Sequence, residues 1–217
     1  MPEPTTIILM GSGLLGFAWE GVRRGFVRLK PIVDVATSLV VFAALSPVLL
    51  ACAVAVRLTS RGPVIYTQSR VGRKGRLFRI YKFRTMRVDA ERQTGPVWAA
   101  GDHDPRLTPI GGWLRRHHLD ELPQLLNVVR GEMSLVGPRP ERSFFVEEFI
   151  RELPEYTRRH EVRPGVTGLA QVTNGYDQTP KDVRRKLALD LLYIRRMCWW
   201  LDIRILWRTA RVALRGG

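Results

Sequence analysis

Cysteine is nearly absent from this 217-residue chain: Cys52 and Cys198 are its two copies, far apart in sequence. They form neither a disulfide framework nor a zinc site, and they suit a reducing compartment. Histidine is scarce as well, with four copies. His117 and His118 are adjacent and point different ways, and no pair has the helical spacing of metal ligands, so all four read as non-metal. Internal repeats and low-complexity tracts are missing, and so is a basic leader. The uncharged stretch from Thr5 to Trp19 follows Glu3, carries Gly11, Gly13 and Gly16, and is only 15 residues long. It is too short for a span and lacks the flanks of a signal peptide, so it reads as a weakly membrane-associated extension.

Negative charge is the other deficit. Twenty Asp and Glu face 35 Lys and Arg, giving a net charge of +15 and an isoelectric point near 11.0. Such a bias calls for a polyanionic partner: nucleic acid, acidic lipid headgroups or a phosphorylated substrate. Thirty of the basic residues are Arg, whose planar fork suits bidentate phosphate binding. A hydrophobic content of 45% excludes a disordered or collagenous chain.

Hydrophobicity is concentrated in Val35 to Val56, 22 residues without a charge. As a straight helix the run would reach about 33 Å and match a bilayer core. Pro47 removes a helical hydrogen bond near its middle, so a bend is expected at Ser46-Pro47. Arg23, Arg24, Arg28 and Lys30 precede the run and Arg57, Arg61 and Arg70 follow it, so both ends prefer the cytoplasmic side. A re-entrant helix and a Pro-kinked spanning helix are equally compatible with these features.

From Gly62 onward the chain reads as soluble and cytosolic. Val64 to Gln68 and Leu77 to Phe83 flank a basic VGRKGR turn and predict a hairpin. A polar stretch covers Val88 to Arg106. Thr108-Pro109 predicts an N-cap and first-turn proline for a short helix. Further helices are expected from Asp120 to Arg130, closed by Gly131, and from Glu141 to Tyr156. Lys181 to Leu214 is strongly amphipathic: Arg204, Arg208, Arg211 and Arg215 recur beside an apolar stripe of Trp200, Ile203, Trp207, Ala210 and Leu214. Indole and guanidinium at one depth favour a membrane interface.

Asp120 and Glu121 fall at a predicted helix start, where acidic caps are common. Arg115, Arg116, His117 and His118 lie just before them and the loop Ser134 to Glu141 just after. In that loop Gly137 would let a phosphate approach the backbone, the prolines would stiffen the turn, and Arg139 offers a guanidinium fork. A carboxylate pair beside an anion site and a membrane segment points to phosphoryl chemistry on a lipid, with one carboxylate as nucleophile and the other holding a hard cation.

The strings YKFRTM (Tyr81 to Met86), DPRLT (Asp104 to Thr108), LDELPQLLNVVRGEMSLVGPRPE (Leu119 to Glu141) and RPGVTGLAQV (Arg163 to Val172) resemble the bacterial sugar transferase family, the monotopic phosphoglycosyl transferases, from about Lys30 to Leu214. The resemblance implies transfer of a sugar 1-phosphate from a UDP-sugar to polyprenyl phosphate at the inner face of the bacterial cytoplasmic membrane, starting a surface glycan. It implies an α+β fold: a re-entrant membrane helix broken at Ser46-Pro47, a small cytosolic catalytic domain with a β-hairpin and several helices, and amphipathic interfacial C-terminal helices. The implied division is 1–29 extension, 30–61 re-entrant helix and 62–217 catalytic domain. By position, Asp120 resembles the nucleophile that carries a covalent phosphosugar and Glu121 its partner at Mg2+. Lys82, Arg115, Arg139 and Arg163 resemble phosphate-handling positions. Pro31 stands where the family often has Arg. Membrane lipid is an implied partner, a homo-oligomer is open, and nucleic acid is not expected. Two other readings stand beside this one: direct transfer with Asp120 as base, and a non-catalytic basic membrane adaptor, which leaves Asp120 and Glu121 idle.

Overall fold

The computed structural model describes residues 4–90, 92, 95, 104–173 and 180–215. Helix α1 (Pro4–Ala44) runs without interruption through Pro31, and α2 (Ser46–Thr59) follows after a bend of 64° at Leu45. Sequence places the break at Ser46-Pro47; it falls one residue earlier, with Pro47 in the first turn of α2. The proline explains the position. Its missing N–H would have served the Ala43 carbonyl in a continuous helix, and the Ser46 hydroxyl donates to that carbonyl instead, at 2.8 Å. No single described helix is long and apolar enough to cross a membrane, but the bent pair meets that standard together.

Strands β1 (Ile65–Val71) and β2 (Leu77–Phe83) pair antiparallel, Ile65 opposite Phe83 and Val71 opposite Leu77. The first is longer than its apolar run because the Val71 N–H donates to the Glu141 carbonyl and holds the polar half in line. Helix α3 (Gly111–Arg116) starts later than expected, and Thr108 does not cap it. The Thr108 hydroxyl is drawn to the Thr85 carbonyl instead, 3.3 Å away.

The helix expected from Asp120 is divided into a 3-10 segment (Leu119–Gln124) and a short α4 (Leu125–Val129). Pro123 lies inside the 3-10 segment and has no N–H for an α-type bond. Neither Asp120 nor Glu121 is a cap: the residue before the segment is His118, in the left-handed region at φ 55°, and no side chain caps there. Gly131, at φ 74°, closes α4 as expected.

Strand β3 (Ser134–Val136) pairs in parallel with β4 (Gly165–Thr167). Between them the helix expected from Glu141 to Tyr156 is shorter, α5 (Ser143–Glu152), and Pro154 starts a separate 3-10 turn (Pro154–Glu161). After α6 (Leu169–Thr173) the C-terminal region forms two helices, α7 (Pro180–Arg196) and α8 (Trp199–Arg215). With a hairpin, a small parallel pair and surrounding helices, the architecture is α+β.

One core gathers Phe26, Val128, Met133, Val136, Tyr156, Leu187 and Ile205. A second joins Cys52 and Val56 of α2 to Phe83 and Leu114, so α2 rests on the hairpin and α3. Arg84 reinforces that seam, its guanidinium donating to the Ser60 and Arg61 carbonyls at 2.9 and 2.8 Å, where a helix end leaves acceptors unmet. The stripe on α8 lies outside both cores: Trp200 is 73% exposed, Ile203 57% and Trp207 66%, while Asp202 and Ile205 face inward.

Candidate active site

Three elements meet at one carboxylate. Lys82 comes from β2, Glu121 from the 3-10 segment and Arg139 from the loop after β3. Lys82 Nζ donates to Glu121 Oε1 at 2.6 Å. Arg139 grips both oxygens, with bonds of 2.6 Å to Oε1 and 3.2 Å to Oε2. Bidentate, charge-assisted contacts of this kind are the strong ones. Burial alone would raise the Glu121 carboxyl, but Arg139 and Lys82 overcome it and hold the group well below the usual range.

Asp120, one residue away, is 6% exposed. No described residue donates a hydrogen bond to it. Burial pushes its carboxyl up, opposed by Lys82, while Glu121 adds to the rise. The adjacent acids therefore differ: Glu121 is neutralised by two cations, and Asp120 shares their field with its lone pairs unengaged by described residues.

The other expected positions divide. Arg115 donates to the Thr85 hydroxyl at 2.9 Å and acts on Asp120 through charge without pairing with it. Arg163 does not reach the carboxylates; its guanidinium lies beside Gly131. At Gly137 the group approaching closely is the chain's own backbone. A Cβ there would lie 2.6 Å from the Arg163 carbonyl oxygen, and the Gly137 N–H donates to the Thr167 carbonyl. Glycine is required at 137 for the parallel strand pair, a different role from the phosphate approach expected of it.

Several supporting residues carry no local sequence signal. Asn127 braces β2 beside Lys82, accepting from the Tyr81 N–H at 3.1 Å and donating to the Arg79 carbonyl at 2.7 Å. Arg159 is buried, pairs with Asp190 at 2.7 Å, and donates to the Arg139 carbonyl at 3.0 Å. Arg70 holds the Pro140 carbonyl at 3.2 Å. Glu141 accepts from Lys186 at 2.7 Å and lies 3.5 Å from Arg70. Against its burial, Lys186, Arg70 and Arg159 bring its carboxyl down to about 2. The loop carrying Arg139 is thus fixed on both sides. His160, behind it, is pushed down to about 4 by burial and Arg159, so it is neutral near pH 7.

No group of three or more His, Cys, Asp or Glu among the described residues could hold a metal ion. Mg2+ does not need such a group; it commonly takes one or two carboxylates, with substrate phosphates and water completing its shell. Asp120 and Glu121 fit that donor set, since the Asp120 carboxylate takes no hydrogen bond from the described residues and Glu121 Oε2 takes only the longer bond from Arg139.

A family model described as bacterial sugar transferase matches residues 26–216, and one described as a PEP-CTERM protein-sorting motif matches residues 2–24. The chain is 45% identical over 207 residues to the UDP-N-acetylgalactosamine-undecaprenyl-phosphate N-acetylgalactosaminephosphotransferase of Aeromonas hydrophila, covering 95% of this chain and 47% of that protein. It is 43% identical over 183 residues to the UDP-glucose:undecaprenyl-phosphate glucose-1-phosphate transferase of Caulobacter vibrioides, covering 83% and 67%. Over 189 residues it is 41% identical to the exopolysaccharide production protein PSS of Rhizobium leguminosarum bv. phaseoli, covering 83% and 92%. The chain spans less than half the length of several curated relatives it matches. With the family model spanning most of the sequence and the carboxylate pair lying inside the matched region, the chain belongs to the bacterial sugar transferase family.

Proposed function

We propose that this chain moves a sugar 1-phosphate from a UDP-sugar to polyprenyl phosphate, undecaprenyl phosphate in a bacterium, through a phosphosugar carried on Asp120, and so initiates a surface glycan. The observation that carries the reading is the contrast within the acid pair. Glu121 is held by Lys82 and Arg139, whereas Asp120 lies in the same positive field without a hydrogen bond from the described residues.

An Asp120 oxygen attacks the phosphorus bound to the sugar, the bond from that phosphorus to the bridging oxygen breaks, and UMP leaves with the electron pair. A phosphate oxygen of the polyprenyl phosphate then attacks the same phosphorus, the acyl phosphate bond breaks, and Asp120 returns as carboxylate. Lys82 and Arg139 stabilise the charge spread over the phosphoryl oxygens, as preorganised cations do in phosphoryl transfer. Glu121 would hold Mg2+, which would supply further positive charge at the site when bound.

The bent helix pair supports delivery at a membrane. Asp34 is the last charge before the bend at Leu45 and Arg57 the first after it, eleven and twelve residues away. Each limb reaches about 16 Å, roughly half of a bilayer's hydrocarbon thickness. Limbs of that length favour entry and exit by one face, with the catalytic domain on the cytosolic side of the inner membrane where its basic flanks prefer to lie. The exposed Trp200, Ile203 and Trp207 beside Arg204, Arg208 and Arg211 suit α8 to the same interface.

The test is the intact mass of the protein after mixing with a UDP-sugar and Mg2+ without lipid, alongside assay of UMP. One added sugar phosphate mapping to Asp120, with matching UMP release, is expected. Turnover retained by Asp120→Asn, with no adduct in the parent protein, overturns the covalent route in favour of direct transfer. Absence of turnover across UDP-sugars with undecaprenyl phosphate present overturns the enzyme reading.

A further inference from the structure

A second charged cluster, distant in sequence from the acid pair and unused by the chemistry, lies where α1 approaches its uncharged run. Lys30 and Asp34, one helical turn apart, are both buried. Lys30 Nζ lies 2.5 Å from Asp202 Oδ2 of α8 and 3.4 Å from Asp34 Oδ2. Asp34 Oδ2 accepts from the Ser134 hydroxyl of β3 at 2.5 Å. Asp202 Oδ1 is 2.8 Å from the Tyr193 hydroxyl of α7, which also lies 3.0 Å from the Val136 carbonyl. Burial and Asp202 push the Tyr193 phenol well up, so it keeps its proton and donates.

We infer that Lys30, Asp34, Asp202, Tyr193 and Ser134 act as a positioning set that fixes the height of the active site above the lipid phosphate plane. The inference rests on the proposed transfer to a membrane-held acceptor. Stability alone is a poor reason for such a cluster, because two carboxylates sharing one buried ammonium carry a large desolvation cost that apolar packing would avoid. What the ions add is register. A slide of α1 by one turn, about 5.4 Å, would part Lys30 from Asp202 and leave charges buried without partners. The elements joined are those that height depends on: α1 enters the uncharged run, α8 bears the exposed Trp side chains, and β3 leads into the loop whose Arg139 grips Glu121.

Such a set predicts a division between half-reactions. Formation of the phosphosugar uses a soluble donor and needs only the local site; its discharge needs the lipid phosphate at the right height. The test uses full-length protein in nanodiscs of phosphatidylethanolamine and phosphatidylglycerol carrying undecaprenyl phosphate, with UDP-glucose or UDP-N-acetylgalactosamine and Mg2+. Lys30→Met is expected to form the adduct within about threefold of the parent rate and to discharge it at least about tenfold more slowly, a scale that misplacement by an ångström or so produces. The exchange Lys30→Asp with Asp202→Lys preserves the charge set and is expected to restore discharge. If Lys30→Met does not fold, Tyr193→Phe leaves no charge unpaired and is expected to slow discharge alone, about two- to fivefold. Equal loss in both half-reactions, or discharge at the parent rate in the variant that folds, overturns the inference. A nitroxide at Lys74→Cys, on the hairpin tip, gives a readout independent of catalysis: its distance from labelled headgroups should shift in the variant and return in the exchange. If the parent forms no adduct, the proposed transfer fails, and an unchanged label distance then overturns the positioning set separately.

Discussion

Burial makes an ionised Asp120 a destabilising group near neutral pH. Its folded pKa is raised, so the stability it contributes is present below the unfolded value and lost as pH rises through the folded one. Asp120→Asn should therefore abolish the adduct while leaving the midpoint of thermal unfolding at pH 7 unchanged or higher, a difference that shrinks towards pH 4. Lower stability at pH 7 would count against this electrostatic account. Glu121 has the opposite sign: its folded pKa is depressed, so its contribution holds above the unfolded value and disappears as pH falls through the folded one. Glu121→Gln would leave Lys82 and Arg139 facing each other without their anion, at a cost of about 3 kcal/mol, measurable by denaturant unfolding. Glu141, brought down to about 2, follows the same sign from outside the chemistry. Glu141→Gln should cost about 3 kcal/mol near pH 7 and progressively less as pH falls from about 5 towards 2.

Among the elements, the break between α1 and α2 invites the most direct intervention. Pro47→Leu restores the donor to the Ala43 carbonyl and removes a proline worth about 3 kcal/mol in a helix interior, so the bend should straighten and the segment shift towards spanning. Labelling of single cysteines at the exposed Arg28 and at Ser60 in intact cells should report one face for the parent and opposite faces for the variant. Ser46→Ala loses only the hydroxyl that substitutes for the missing donor and should matter less. The bend, the hairpin and the exposed face of α8 were legible in sequence because each has a local signature: a proline in an apolar run, β-rich runs around a glycine-bearing turn, and Arg and Trp at helical spacing. The late start of α3 was not legible, since it depends on Thr108 finding the Thr85 carbonyl. The juxtaposition of Lys82, Glu121 and Arg139, with Asp120 beside them, was legible in the candidate site through ordered strings, but its supports were hidden. Arg159 reaches a carbonyl twenty positions away and Lys30 a carboxylate 172 positions away, distances at which no periodicity survives.

At the scale of the whole molecule, α8 leaves Trp200, Ile203 and Trp207 outside both cores and beside the exposed Arg204, Arg208 and Arg211, a surface that suits a lipid interface. Replacing Trp200 and Trp207 by Glu exchanges two exposed indoles for carboxylates, leaving both cores intact. Binding to anionic vesicles, measured by flotation, should weaken, and transfer to a long-chain acceptor should fall more than UMP release. Equal loss in both assays would mean that the two side chains support folding.

In the proposed re-entrant arrangement, the two uncharged limbs of the bent pair, each about 16 Å long, would have a mechanical consequence for the bilayer around them. A body that fills one leaflet to its midplane enlarges that leaflet alone, so it acts as a wedge and its insertion energy depends on how tightly the lipids of that leaflet are packed. Added from outside, the protein should partition more strongly into small, highly curved vesicles than into large ones of the same composition, a preference that the straightened Pro47→Leu segment, displacing both leaflets alike, should lose.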